Sequence, residues 1–187
     1  MNTPINWLDA VIILALIAGM FVGFWQGVVR QAVTLGALYA ASVLSTRLYP
    51  NLSTLITALS HDMVPIVADV VSFFVLLFVI GLVAVFLTID TLRKVTERPV
   101  GAASHVAGGV CGLIGTAVFI TLTLVAIHFA TLSPWPASSE PARQLLIDAR
   151  TSSNLVTVFG QLYPIVMQSI RFWGGNLPPM FASDFGV

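Results

Sequence analysis

The chain has 187 residues, of which 57% are hydrophobic and 9% charged, and its formal net charge is zero. Soluble domains carry charge on about a quarter of their residues, so this composition cannot cover a water-exposed surface and indicates the bilayer as the main solvent. Neutrality without basic clusters gives no support for nucleic-acid binding.

Four apolar stretches follow one another along the chain, each near the ~20 residues that cross a ~30 Å hydrocarbon core as a helix. Backbone groups in hydrocarbon must pair internally, and continuous apolar runs lack the alternation of barrel strands. The prediction is an all-α membrane protein with four transmembrane helices and a C-terminal amphipathic helical tail. The predicted spans are residues 5–25, 32–49, 66–89 and 106–132.

The first span carries Gly19, Gly23 and Gly27 at intervals of four. This spacing lays a ridge without bulky side chains along one helix face, where a neighbouring backbone can approach closely. A cleaved secretory signal would begin with basic residues, whereas residues 1–8 contain no Lys or Arg and Asp9 follows at once. We therefore expect the first helix to be retained and to pack within the membrane.

The charges of the short loops predict the orientation of the chain. Arg30 follows the first span, and Arg93, Lys94 and Arg98 follow the third, whereas the short loop after the second span has Arg47. Because Lys and Arg in short loops remain cytoplasmic, this pattern predicts that both termini are extracytoplasmic.

Four polar side chains are expected near the other leaflet, where spans one and three begin and spans two and four end. They are Asp9, Arg47, Asp69 and His128. Charges near the interface cost far less than charges at the bilayer centre, so we favour interfacial groups that are solvated or paired. The alternative is a polar vestibule or a proton-linked path.

The fourth span opens with a second glycine cluster, in which Gly108 and Gly112 stand four apart. This helix can dock against the ridge of the first span or against another copy of the chain, and we expect packing rather than a ligand role. Cys111 is the single cysteine, so no internal disulfide can form, and we interpret it as a small packing residue.

Residues 133–141 form a Pro- and Ser-rich linker that ends the fourth helix. In the tail, residues 142–187, apolar positions at helical spacing predict helices near 141–149 and 154–173, with Pro164 interrupting the second. Such helices lie on a membrane surface or cover a bundle. The last residues, from 174 onward, are rich in Gly and Pro and are expected to form a loose end.

Motifs of catalysis are missing from the sequence, which has no phosphate-binding loop, HExxH sequence, nucleophile elbow or paired Cys/His ligands. His61, His105 and His128 belong to different segments and lack ligand spacing. We therefore expect no enzyme activity, no cofactor and no metal.

Two parts of the sequence carry recognisable motifs. The first comprises Asn6-Trp7-Leu8-Asp9, the glycines of span one, Gly27-Val28-Val29-Arg30-Gln31 and Leu35-Gly36. The second is Gly108-Gly109-Val110-Cys111-Gly112-Leu113-Ile114-Gly115. Together they resemble the bacterial colicin V production protein family, CvpA. The likeness covers residues 5–132, so residues 1–132 are predicted to form a CvpA-like domain. Ser104 and Gly115 depart from the family, which often has an acidic residue and an Arg at these places.

The resemblance implies a multi-pass protein of the bacterial inner membrane, tied to colicin V (bacteriocin) toxin production or export and to envelope homeostasis, without a defined reaction. Our primary hypothesis is an accessory protein that assembles through its glycine faces, with the lipid bilayer and further copies or other membrane proteins as partners. The alternative is a small oligomeric transporter or channel that uses the leaflet of Asp9, Asp69 and His128.

Overall fold

The computed structural model describes residues 6–59, 65–93, 101–132, 134–137 and 139–174. Across these ranges the chain is helical apart from short connections and contains no strand. The helices are α1 Trp7–Gln26, α2 Val28–Leu59, α3 Pro65–Arg93, α4 Ala102–Leu132, α5 Glu140–Thr151 and α6 Asn154–Gly174.

Helices α1 to α4 each contain a window that is long and apolar enough to cross a membrane, which confirms the predicted fold class. Their ends differ from the predicted spans, most clearly in α2, which continues through Pro50 to Leu59. The apolar run ends near Tyr49, but the helix continues because its next turns pack on α3. There the Ser53 hydroxyl donates to Asp69 over 2.5 Å.

The four long helices form two antiparallel pairs, α1 with α4 and α2 with α3, and α2 and α4 join the pairs. In the first pair Gly23 lies against Gly112, and in the second Gly81 lies opposite Ala41. Helix α4 contacts helices of both pairs and of the tail, and its Leu122 is fully enclosed. The core therefore forms around α4.

A single residue, Gly27, connects α1 to α2. It has φ 76°, a conformation that favours glycine, and its N–H donates to the carbonyl of Gly23 over 3.0 Å. Arg30 thus lies in the first turn of α2 and not in a loop, which corrects its predicted position while leaving it at the same end of the bundle.

The tail forms the two expected helices, and α6 continues through Pro164 where an interruption was predicted. Its apolar face is buried: Met167 and Ile170 pack with α2, α3 and α4, while Val156 and Phe159 pack with Ile12 of α1. Helix α6 thus crosses the bundle and shares its core. The predicted loose end, residues 175–187, lies outside the described residues.

Candidate functional site

The two glycine series face each other across the α1–α4 contact. A Cβ atom added to Gly23 would lie 2.9 Å from the Cα of Gly112, and one added to Gly108 would lie 2.8 Å from the Cα of Gly27. Real Cβ atoms do not approach other atoms so closely, so the contact is backbone against backbone. The faces that the sequence marked for packing therefore meet inside one chain.

The same contact extends toward the middle of the helices at Gly19, where an added Cβ would lie 3.2 Å from the carbonyl oxygen of Gly112. The Thr116 hydroxyl donates to that carbonyl over 2.9 Å and fills the space beside Gly19. By contrast, no atom lies within 4 Å of a Cβ added to Gly36 or Gly101. Tight packing thus requires glycine at some positions and not at others.

Asp9 is buried in the first turn of α1 and accepts hydrogen bonds from the start of α6. Its Oδ1 accepts from the hydroxyl of Ser153 and, over 3.2 Å, from the N–H of Leu155. The Ser153 oxygen in turn accepts from the N–H of Val156 over 3.2 Å. Free N–H groups and the helix dipole make a helix N-terminus favourable for a carboxylate, so Asp9 caps α6 from another helix.

Asn6 makes a second link between the start of α1 and the tail. Its side-chain oxygen accepts from the N–H of Leu8, which caps α1, while its amide nitrogen donates to the carbonyl of Ala149 and to the Ser152 hydroxyl. Because Asn6 and Asp9 act on consecutive segments, they hold the junction between α5 and α6 at the first turn of α1. We call this group of contacts, Asn6 and Asp9 with residues 149–156, the tail clamp.

The other residues of the predicted polar leaflet lie apart from the tail clamp. Asp69 is half-buried in the α2–α3 pair, where it accepts from Ser53. Arg47 is exposed and His128 is half-buried, and each has interaction partners. Asp9 and Asp69 thus bind different helices, and the structure does not join these residues into one site.

Of the basic residues expected to set the topology, Arg30 is exposed at the start of α2. Arg93 is the last residue of α3, and Lys94 and Arg98 lie outside the described residues. At the same end, a ring nitrogen of His105 lies 2.8 Å from the carbonyl oxygen of Phe24 and so links α4 to α1. His61 also lies outside the described residues.

The junction between the linker and α5 is fixed by Glu140 and Arg143. A hydrogen bond from Gln144, then bonds from Arg143 and the Trp135 N–H, lower the pKa of the Glu140 carboxyl from its ordinary value. The guanidinium of Arg143 bonds to Glu140 over 2.5 Å and to the carbonyl of Thr131 over 3.0 Å. These contacts tie the tail to the end of α4.

Within the described residues no group of three His, Cys, Asp or Glu side chains could hold a metal ion. Cys111 is half-buried in α4 with a free thiol. The structure builds two separate groups of contacts on α1, the tail clamp at its first turn and the glycine contact with α4 toward its other end.

Sequence reasoning missed the partners of Asp9. Ser153 precedes an apolar helical run, which is the place of an N-cap, so the start of α6 could be found from the sequence. The pairing with Asp9 could not, since the two residues are separated by 144 positions.

A family model described as Colicin V production protein matches residues 8–163 of the chain. The match covers the four spans and continues past residue 132 through the linker and α5 into α6, so it is longer than the resemblance traced in the sequence. No curated protein and no solved structure gives a significant match.

Proposed function

Because the chain belongs to the colicin V production protein family, we propose that it is an accessory protein of the bacterial inner membrane that serves bacteriocin production or export and envelope homeostasis. It acts in this proposal without catalysing a reaction. The observation that carries the proposal is the family match over residues 8–163, which includes nearly all of helices α1 to α4 and, of the tail clamp, Asp9 and residues 149–156.

The way the chain uses its polar groups supports an accessory role. Asp9 and Asn6 are engaged in holding the tail, and Asp69 accepts from Ser53. The hydroxyls of Ser42, Thr46 and Ser72, all buried, donate to carbonyls of their own helices. Polar groups paired in this way stabilise helices in hydrocarbon and supply few free groups for a solute.

The partners in this proposal are the bilayer and other membrane proteins or further copies of the chain. Gly23 and Gly112 already contact each other. A second membrane protein therefore binds another surface of the bundle. The glycine faces, which the sequence suggested for assembly, are not the assembly surface in this proposal. We further propose that both termini are extracytoplasmic, on the basis of Arg30 and the basic residues after α3.

The test uses a strain that produces a bacteriocin and lacks this protein. Complementation with the wild type is expected to restore secreted toxin and resistance to envelope stress, each measured beside the protein level in the membrane. Asp69→Asn and His128→Ala should restore both to about the wild-type level, because neither has a transport role in this proposal.

Reconstitution into proteoliposomes separates the proposal from a transporter. The accessory role predicts no ion flux above that of empty liposomes. Flux by the wild type that Asp69→Asn and His128→Ala both abolish, together with loss of complementation at unchanged protein level, would overturn the proposal in favour of a transporter.

A further inference from the structure

An apolar groove of about 320 Å³ runs down the side of the bundle between α1, α4 and α5. Trp7 and Leu146 lie at the end near α5, and Ala15 and Thr116 line the far end, halfway along α1 and α4. On α4 the lining extends from Thr116 to Ile127, a rise of about 16 Å at 1.5 Å per residue. This length equals about half of a ~30 Å hydrocarbon core, the depth of one leaflet.

A cation lies at the α5 end of this groove. Arg150, in the last turn of α5, is half-buried and lines the groove with the apolar part of its side chain, since the groove wall is almost wholly apolar. Burial lowers the pKa of its guanidinium from the ordinary value. Within the described ranges its side chain makes no ion pair and no hydrogen bond, whereas Arg143 on the same helix is paired with Glu140.

A half-buried guanidinium without a counter-ion costs free energy unless an anion outside the chain supplies the charge. Arginine binds phosphate through paired N–H groups and suits this role. A phospholipid fits the whole arrangement, because its chain would occupy the apolar groove while its phosphate reaches the cation at the membrane interface.

We propose that the groove is a binding site for one anionic phospholipid of the leaflet at the α5 end, with Arg150 holding its phosphate and an acyl chain lying between α1 and α4. A zwitterionic lipid brings its own ammonium group, so an anionic lipid balances Arg150 better. Binding would connect α5 to the first turn of α1, beside the tail clamp.

The experiment measures lipid retention by the full chain in detergent with native mass spectrometry. The probes are phosphatidylglycerol, phosphatidylethanolamine and diacylglycerol with the same acyl chains, and glycerol phosphate. Wild type and Arg150→Lys should retain phosphatidylglycerol best, while Arg150→Gln should bind it more weakly by on the order of tenfold. Arg171→Gln, which changes an exposed cation on α6, should bind like the wild type.

A second pair of variants tests the groove independently of the charge. Ala15→Leu fills the lining and should reduce retention, whereas Ala18→Leu on the exposed side of α1 should not. Helix content by circular dichroism shows that each variant is folded. Equal retention by wild type and Arg150→Gln, equal retention of the two phospholipids, or tight binding of glycerol phosphate alone would each overturn the proposal.

Discussion

Asp9 shows how one side chain can hold a helix that follows 144 positions later in the sequence. In the sequence it looks like an interfacial carboxylate near the start of a helix, and by itself such a residue contributes only about 0.3 to 1 kcal/mol. In the fold it accepts from Ser153 and Leu155 while it is buried. Hydrogen bonds to a charged group contribute more, about 1.5 to 3 kcal/mol each.

We predict that Asp9→Ala lowers the free energy of unfolding by about 2 to 3 kcal/mol, because buried donors lose their acceptor. Asp9→Asn should cost less, since an amide oxygen still accepts. Unfolding in detergent, followed by circular dichroism, measures both changes. Asp148→Ala, at an exposed carboxylate on α5, is the control and should change stability by less than about 0.5 kcal/mol. Equal losses at the two positions would contradict the role of Asp9.

Glu140 gives the second prediction at the scale of residues. Its pKa is lowered by folding, so its contribution to stability is present above the unfolded pKa and is lost as the pH falls through the folded pKa. The unfolding midpoint of the wild type should exceed that of Glu140→Gln at pH 7, and the difference should shrink toward about pH 3. Gln144→Ala removes the hydrogen bond that contributes most to the lowered pKa of Glu140. In this variant the stability contributed by Glu140 should therefore be lost at a higher pH. If the difference in unfolding midpoint between wild type and Glu140→Gln did not change with pH, this role of the Glu140 carboxylate would be contradicted.

At the scale of elements, the contact between α1 and α4 depends on where the glycines lie. A Cβ atom added to Gly23 would lie 2.9 Å from the Cα of Gly112, whereas one added to Gly36 on α2 would have no atom within 4 Å. Both are helical glycines in apolar segments, so intrinsic helix propensity alone would make either change to Ala favourable. The packing around each glycine therefore decides whether its change to Ala destabilises or stabilises the bundle.

Gly23→Ala should destabilise the bundle by about 1 to 3 kcal/mol through overpacking, and Gly23→Leu by more. Gly36→Ala should be neutral or stabilising by up to about 1 kcal/mol. The measurement is the unfolding midpoint in detergent together with protein level in the membrane. Val22→Leu serves as a second control, because Val22 is 47% exposed on the other side of α1. If Gly23→Ala left the unfolding midpoint and protein level unchanged, α1 and α4 could move apart without loss of stability, which would contradict this prediction.

Helix α6 belongs to the bundle because its apolar face is enclosed. Ile170 is 1% exposed, while Ile165 on the same helix is 66% exposed. Ile170→Ala should cost about 2 to 5 kcal/mol through lost contacts and the cavity left behind. Ile165→Ala should change stability by less than about 0.5 kcal/mol. Protease resistance of the tail, measured beside the unfolding midpoint, should fall only for Ile170→Ala. Equal losses for Ile170→Ala and Ile165→Ala would contradict a core shared between α6 and the bundle.

At the scale of the whole molecule, the proposed orientation depends on charges outside the core. We predict that a reporter fused after Val187 is active only on the extracytoplasmic side, because the proposed orientation places Arg30 and the basic residues at and after the end of α3 in the cytoplasm. Arg93→Glu with Lys94→Glu should give a mixed orientation. Arg171→Gln is the control and should leave orientation unchanged, since Arg171 lies in α6. Activity of the wild-type fusion in the cytoplasm would reverse the topology.

The sequence by itself determined the class of fold, since four long apolar runs with few charges have no stable arrangement other than helices in a bilayer. It also marked Gly23 and Gly112 as packing positions through their spacing alone. These inferences depend on local composition and periodicity, whereas the family was indicated by the resemblance of short motifs.

Only the tertiary structure decided which partners those residues meet. The glycine faces could have packed against each other or against another copy, and the spacing is the same in both cases. The pairing of Asp9 with Ser153, the burial of Ile170 and the position of Arg150 beside an apolar groove depend on contacts between residues far apart in the chain. Such contacts follow from how all six helices pack, and hydrophobic periodicity marks the buried face of a helix without identifying what covers it.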